Sequence, residues 1–155
     1  MTAPRGKAGA GRDKPSLFIA EPPAIYRIEP PLVVDCSMLS ALLFQEAERD
    51  EAQAQLAART LLAPALLDYE LANVALKKAR QGAVPLAEHA LAAYAAMAIS
   101  LHGIDPVAVL ALARRYGLSA YDAAYLWLAS QLKAPLATFD RKLGEAARQH
   151  LGALE

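Results

Sequence analysis

From Leu32 onward, short apolar runs alternate with longer stretches in which apolar residues recur every three to four positions. The short runs read as buried strands and the periodic stretches as helices with one apolar face. Strands are predicted at Leu32–Asp35, Leu61–Ala63, Leu101–Ile104 and Leu136–Phe139, with a fifth candidate near the C-terminus. Helices are predicted over Ser37–Phe44, Ala47–Ala58, Leu66–Gln81, Pro85–Ser100, Pro106–Tyr116, Ser119–Leu132 and Arg141–Gln149. Gly82 and Gly117 stand just past two of these helices, and Pro85 and Pro106 fall in first turns, where a missing N–H is harmless. This alternation predicts the α/β class with a mainly parallel central sheet of four to five strands.

Residues 1–31 break the pattern. They hold Pro4, Pro15, Pro22, Pro23, Pro30 and Pro31 with Gly6, Gly9 and Gly11, and have little apolar area to bury. A flexible Pro/Gly-rich extension is therefore predicted ahead of one domain over 32–155. Short edge strands at Leu17–Ala20 or Ile25–Ile28 are disfavoured by the flanking prolines. Its basic residues, Arg5, Lys7, Arg12, Lys14 and Arg27, outnumber Asp13, Glu21 and Glu29, so it reads as a solvated tail, an upstream start or an RNA-touching arm.

At 155 residues the chain suits one ordinary domain. Lys plus Arg and Asp plus Glu each number 16, so no overall field draws it towards nucleic acid or anionic lipid. The lone Cys36 excludes an internal disulfide and a cysteine-rich zinc site, in keeping with a reducing cytoplasm. Ala90 to Leu101, the longest apolar stretch, is shorter than the roughly 20 residues a membrane helix needs, so a soluble protein is expected. His89, His102 and His150 are not paired at metal-ligand spacing.

Four carboxylates stand out. Asp35 and Asp140 close apolar runs, which in a parallel sheet places both at the edge where ligands bind. Each also suits an N-cap of the following helix. Glu70 shares a helix face with Leu66, Leu67, Asn73 and Val74, with no cation three or four residues away. Asp122 fits a capping box after Ser119, yet Leu118, Tyr125, Leu126 and Ala129 around it suggest burial. A shared divalent-metal site accounts for all four at once, because crowded carboxylates repel unless a cation neutralises them. All-oxygen coordination favours Mg²⁺ or Mn²⁺.

The segments Leu32-Val33-Val34-Asp35-Cys36-Ser37, Leu67-Asp68-Tyr69-Glu70-Leu71-Ala72-Asn73, Leu118 to Leu126 and Ala137-Thr138-Phe139-Asp140 resemble, in order and spacing, the four acidic motifs of the PIN-domain family. Within it they are most similar to the VapC-type toxins of bacterial and archaeal toxin–antitoxin pairs. The resemblance implies a three-layer α/β/α ribonuclease that holds Mg²⁺ or Mn²⁺ through Asp35, Glu70, Asp122 and Asp140. It places the small hydroxyl residues Ser37 and Thr138 beside the cluster. It also implies an RNA substrate, a homodimer and an antitoxin that covers the cleft. The long N-terminal extension departs from the usual short toxin. Asn73 is a further candidate beside the carboxylates, and Arg141, next to Asp140, a candidate phosphate contact.

Two other enzyme readings fit less well. A phosphotransferase of the usual aspartyl type wants a second Asp where Ser37 stands, and a phosphoacceptor domain wants adjacent acids after the first strand. A domain of the same fold that binds RNA or a protein without cutting is the non-enzymatic alternative.

Overall fold

The computed structural model describes residues 29–154. In chain order the elements are β1 (Pro31–Val34), α1 (Cys36–Leu43), α2 (Arg49–Leu56), β2 (Thr60–Pro64), α3 (Leu67–Arg80), α4 (Val84–Ala95), β3 (Ile99–His102), α5 (Pro106–Tyr116), α6 (Ala120–Leu132), β4 (Leu136–Ala137) and α7 (Arg141–Leu151). The four strands form one parallel sheet in the order β3-β2-β1-β4.

Topology places the helices. The steps β1 to β2 and β2 to β3 move the same way across the sheet, so right-handed crossovers put α1 to α4 on one face. The step from β3 to β4 returns past β2 and β1, which puts α5 and α6 on the other. Packing agrees: α1 lies against α3 and α4, while α6 covers β1 and β2 and carries α5 and α7 on its flanks. The result is a three-layer α/β/α domain. Val33 and Val34 in β1 are fully buried, as are Leu67 and Leu71 of α3, and Ala123 to Leu126, Leu128 and Ala129 of α6 are buried with them. Because α6 is apolar nearly all round, it serves as the central helix of its layer.

This topology also creates the crevice. Strand order reverses between β1 and β4, and ligands in open α/β sheets bind at such a switch point, outside the carboxyl ends of the strands. Asp35 directly follows β1 and Thr138 directly follows β4. The segment starting α6 lies at the same edge, since it lines one groove with Pro64 at the end of β2 and His102 at the end of β3.

Several expected boundaries change. The third strand runs Ile99–His102 rather than Leu101–Ile104, and the helix before it stops at Ala95 rather than Ser100. Pairing of Leu61 with Ile99 through Pro64 with His102 selects that register, which the uniformly apolar stretch leaves unmarked. The fourth strand ends at Ala137, because Phe139 N–H donates to Ser37 Oγ and Asp140 N–H to Thr138 Oγ1 instead of a ladder. No fifth strand follows among the described residues, where α7 runs to Leu151. Pro31, assigned to the extension from its composition, is the first residue of β1, a position that needs no donor. The edge strands considered at Leu17–Ala20 and Ile25–Ile28 lie outside the described residues.

Candidate functional site

Asp35 is both cap and candidate ligand. Its extended backbone sets it as the N-cap of α1, and Oδ1 accepts from Met38 N–H at 3.1 Å and from the Ser37 hydroxyl at 2.7 Å. Oδ2 accepts from the Thr138 hydroxyl at 2.6 Å, across 103 residues of sequence. The side chain is only 5% exposed. Burial pushes its pKa up; the hydrogen bonds from Thr138, Ser37 and Met38 oppose this, and the charge of Asp140 adds to it.

Ser37 and Thr138 join the two strand ends around that carboxylate. Ser37 Oγ accepts from Phe139 N–H at 2.8 Å, and Thr138 Oγ1 accepts from Asp140 N–H at 2.9 Å. Asp140 caps α7 through Oδ1, which accepts from Leu143 N–H at 2.7 Å, and its side chain is exposed. Capping and site membership thus coincide at both strand ends.

Glu70 sits in the first turn of α3, half-buried, and accepts a 2.5 Å hydrogen bond on Oε2 from the Tyr125 hydroxyl of α6. Burial raises its pKa, Tyr125 opposes the rise, and the charges of Asp35 and Asp122 reinforce it. Asp122 lies one turn before Tyr125 on α6. Its N–H donates to Ser119 Oγ at 3.0 Å, and the Ser119 hydroxyl donates to Asp122 Oδ2 at 2.7 Å, which completes the capping box.

Tyr125 was missed as a site residue. Its sequence signal was the i+3 spacing from Asp122, which reads equally well as core, and the residue is indeed 1% exposed. Asn73 is exposed and lines one cleft with Glu70, Leu66, Tyr69 and Tyr121. Arg141 points along its own helix, where its guanidinium pairs with Glu145 at 2.9 Å and remains 90% exposed.

The four carboxylates therefore share one field: Asp140 acts on Asp35, and Asp35 and Asp122 act on Glu70. The donors that reach them are hydroxyls and backbone amides. Ion pairs among the described residues join Lys78 to Glu46 and Arg141 to Glu145. No three acidic, histidine or cysteine side chains among the described residues form a ready-made metal cage. Each carboxylate is turned to its own cap or hydroxyl. The chemistry of the set nonetheless fits a hard divalent cation: all donors are oxygen, one carboxylate is buried, and among the described residues no ammonium or guanidinium bond relieves the mutual repulsion.

A family model described as the PIN domain matches residues 32–149. Ribonuclease VapC3 of Pyrobaculum aerophilum is 33% identical over 121 residues, covering 74% of this chain and 92% of that protein. A crystal structure of a Pyrobaculum aerophilum protein superposes with a TM-score of 0.61 at 27% identity, covering 81% of this chain and 95% of that one.

Proposed function

Because this chain belongs to the PIN-domain family, we propose that it is a divalent-metal-dependent endoribonuclease, the toxin of a VapBC-type toxin–antitoxin pair. The observation that carries the reading is a buried Asp35 at the switch point, electrostatically coupled through Asp140 and Glu70 to the rest of an acidic quartet. The similarity to Ribonuclease VapC3 supplies the substrate class, RNA.

Asp35 and Asp122 are assigned as direct ligands of Mg²⁺ or Mn²⁺, with Asp140 and Glu70 completing the set directly or through water. A divalent cation, if held by these carboxylates, would supply Lewis acidity, making a water acidic and offsetting charge on the leaving oxygen of a phosphodiester. The chain's own residues prepare for this. Ser37 and Thr138 hold both oxygens of Asp35, and Tyr125 holds Glu70. Asn73 offers an amide beside Glu70 in the same cleft. Arg141 would reach a substrate phosphate by releasing Glu145.

The nuclease unit is residues 32–155, preceded by the 1–31 extension. A small antitoxin covering the cleft and a second copy of the chain are the assigned protein partners, and the cytoplasm is the compartment that brings RNA and antitoxin together. No described helix is long and apolar enough to cross a membrane.

The test is cleavage of a defined RNA panel in Mg²⁺, Mn²⁺ or chelator by the intact chain and its Asp35→Ala and Asp122→Ala variants. Cleavage that needs a divalent cation and is lost in folded variants supports the reading. Full activity in both variants overturns the site, and RNA binding without cleavage under every condition favours the non-enzymatic alternative. An antitoxin gene adjacent to this one separates a toxin from a housekeeping nuclease.

A further inference from the structure

Next to the carboxylates lies an apolar groove of about 340 Å³, formed where the ends of β2 and β3 meet the starts of α5 and α6. Its size falls in the small-ligand range of about 300–1,000 Å³. Leu66 and Tyr121 line both this groove and the cleft that contains Glu70, so the two adjoin. Tyr121 directly precedes Asp122 and Tyr69 directly precedes Glu70; they are 64% and 76% exposed. Two large aromatic side chains thus line the cleft that contains Glu70 and stand open to solvent. Ile104 and Leu110 also line the groove, and its His102 is bonded to Ser100 at 3.2 Å.

Charge says what such a surface would hold. The chain has no net charge, and neither the groove nor the adjoining cleft has a lysine or arginine among its lining residues. Phosphate attraction is therefore a weak source of affinity here, and base stacking, worth roughly 1–3 kcal/mol per base, is the stronger one. Single-stranded RNA presents unstacked bases to exposed aromatic rings.

We propose that Tyr121 and Tyr69 form a nucleobase subsite, in which the base beside the scissile phosphate enters the Leu66–Ile104–Leu110 groove and stacks on Tyr121. The identity of the ligand rests on the ribonuclease reading; the subsite itself is testable without cleavage.

The experiment measures binding of a labelled, fully 2′-O-methylated single-stranded hexanucleotide by fluorescence anisotropy in chelator. The intact chain is compared with Tyr121→Ala, Tyr69→Ala and Tyr121→Phe, each checked for an unchanged melting transition and for oligomeric state. The same oligonucleotide with abasic positions serves as the control. Expected is a loss of about 5- to 100-fold in affinity for Tyr121→Ala, a smaller loss for Tyr69→Ala and near-native binding by Tyr121→Phe. On the abasic oligonucleotide all four proteins should bind alike. The subsite is overturned if the intact chain does not bind, if the alanine variants bind as it does, or if their loss persists on the abasic control. An alanine variant that dissociates an oligomer yet keeps its affinity assigns this face to a second copy of the chain instead. A protein that binds in this way but cleaves no RNA would retain the subsite and lose the ribonuclease reading.

Discussion

Tyr125 of α6 donates its phenolic proton to Glu70 of α3 across 2.5 Å, tying together two helices from opposite layers of the sheet at its carboxyl edge. The tyrosine is buried and the glutamate half-buried, so the bond forms where a charged acceptor gains most from it. Burial, with Glu70 as its hydrogen-bond partner, pushes the Tyr125 phenol well above its ordinary pKa, so it remains a donor at any working pH.

Tyr125→Phe removes the hydrogen bond that opposes the rise in the Glu70 pKa. The carboxyl then protonates at higher pH, and the acid limb of RNA cleavage should move up in pH. Fold stability should fall by about 1–2 kcal/mol, because the half-buried carboxylate loses its donor. A pH profile of kcat/KM beside a denaturant melt checks both; an unmoved acid limb would remove Glu70 from the ionisations that matter.

Thr138→Val strips the donor from Asp35 Oδ2 and the acceptor from Asp140 N–H while leaving nearly the same volume. The expected cost is about 1–3 kcal/mol of stability, with a larger proportional loss of divalent-dependent activity, and Thr138→Ser should restore most of both. If valine and serine variants cleave equally well, the hydroxyl is not what positions Asp35.

Burial and neighbouring charge raise the folded-state pKa of Glu70 above its ordinary 4.5. A group raised in this way contributes stability below about 4.5 and loses it as pH rises through the folded value, so ionised Glu70 opposes folding near neutrality. In chelator, Glu70→Gln should therefore melt higher than the native chain at pH 7, with the difference shrinking as pH falls. Adding Mn²⁺ should raise the melting temperature of the native chain and have little effect on Asp35→Asn. Equal Mn²⁺ responses in both proteins would place the cation elsewhere.

Burial pushes the Cys36 thiol up to about 11; the bond to Ser40 opposes the rise, and the charges of Glu70, Asp35 and Glu46 add to it. Thiolate is the reactive form, so the native protein should label with a disulfide reagent at pH 8 far more slowly than the unfolded chain. Rates that match in urea and in native buffer would contradict this environment for Cys36.

The fold was largely legible because apolar periodicity survives in the chain itself. Seven helices and four strands were visible, with β3 two residues out of place where Ala90 to Leu101 offers no polar boundary. Glu70 was legible as an anomaly through its leucine-rich face without a local cation. Asp122 and Asp140 were legible only ambiguously, since their capping roles proved real. Sequence by itself determined the residue types at the strand ends and helix starts, because caps, turns and periodicity are local properties read over a few residues. Tertiary structure alone decided that Thr138 would reach Asp35 and Tyr125 would reach Glu70, and that Arg141 would turn to Glu145. The first two contacts span 103 and 55 residues, and only the return of the chain from β3 to β4 across β1 brings their partners together.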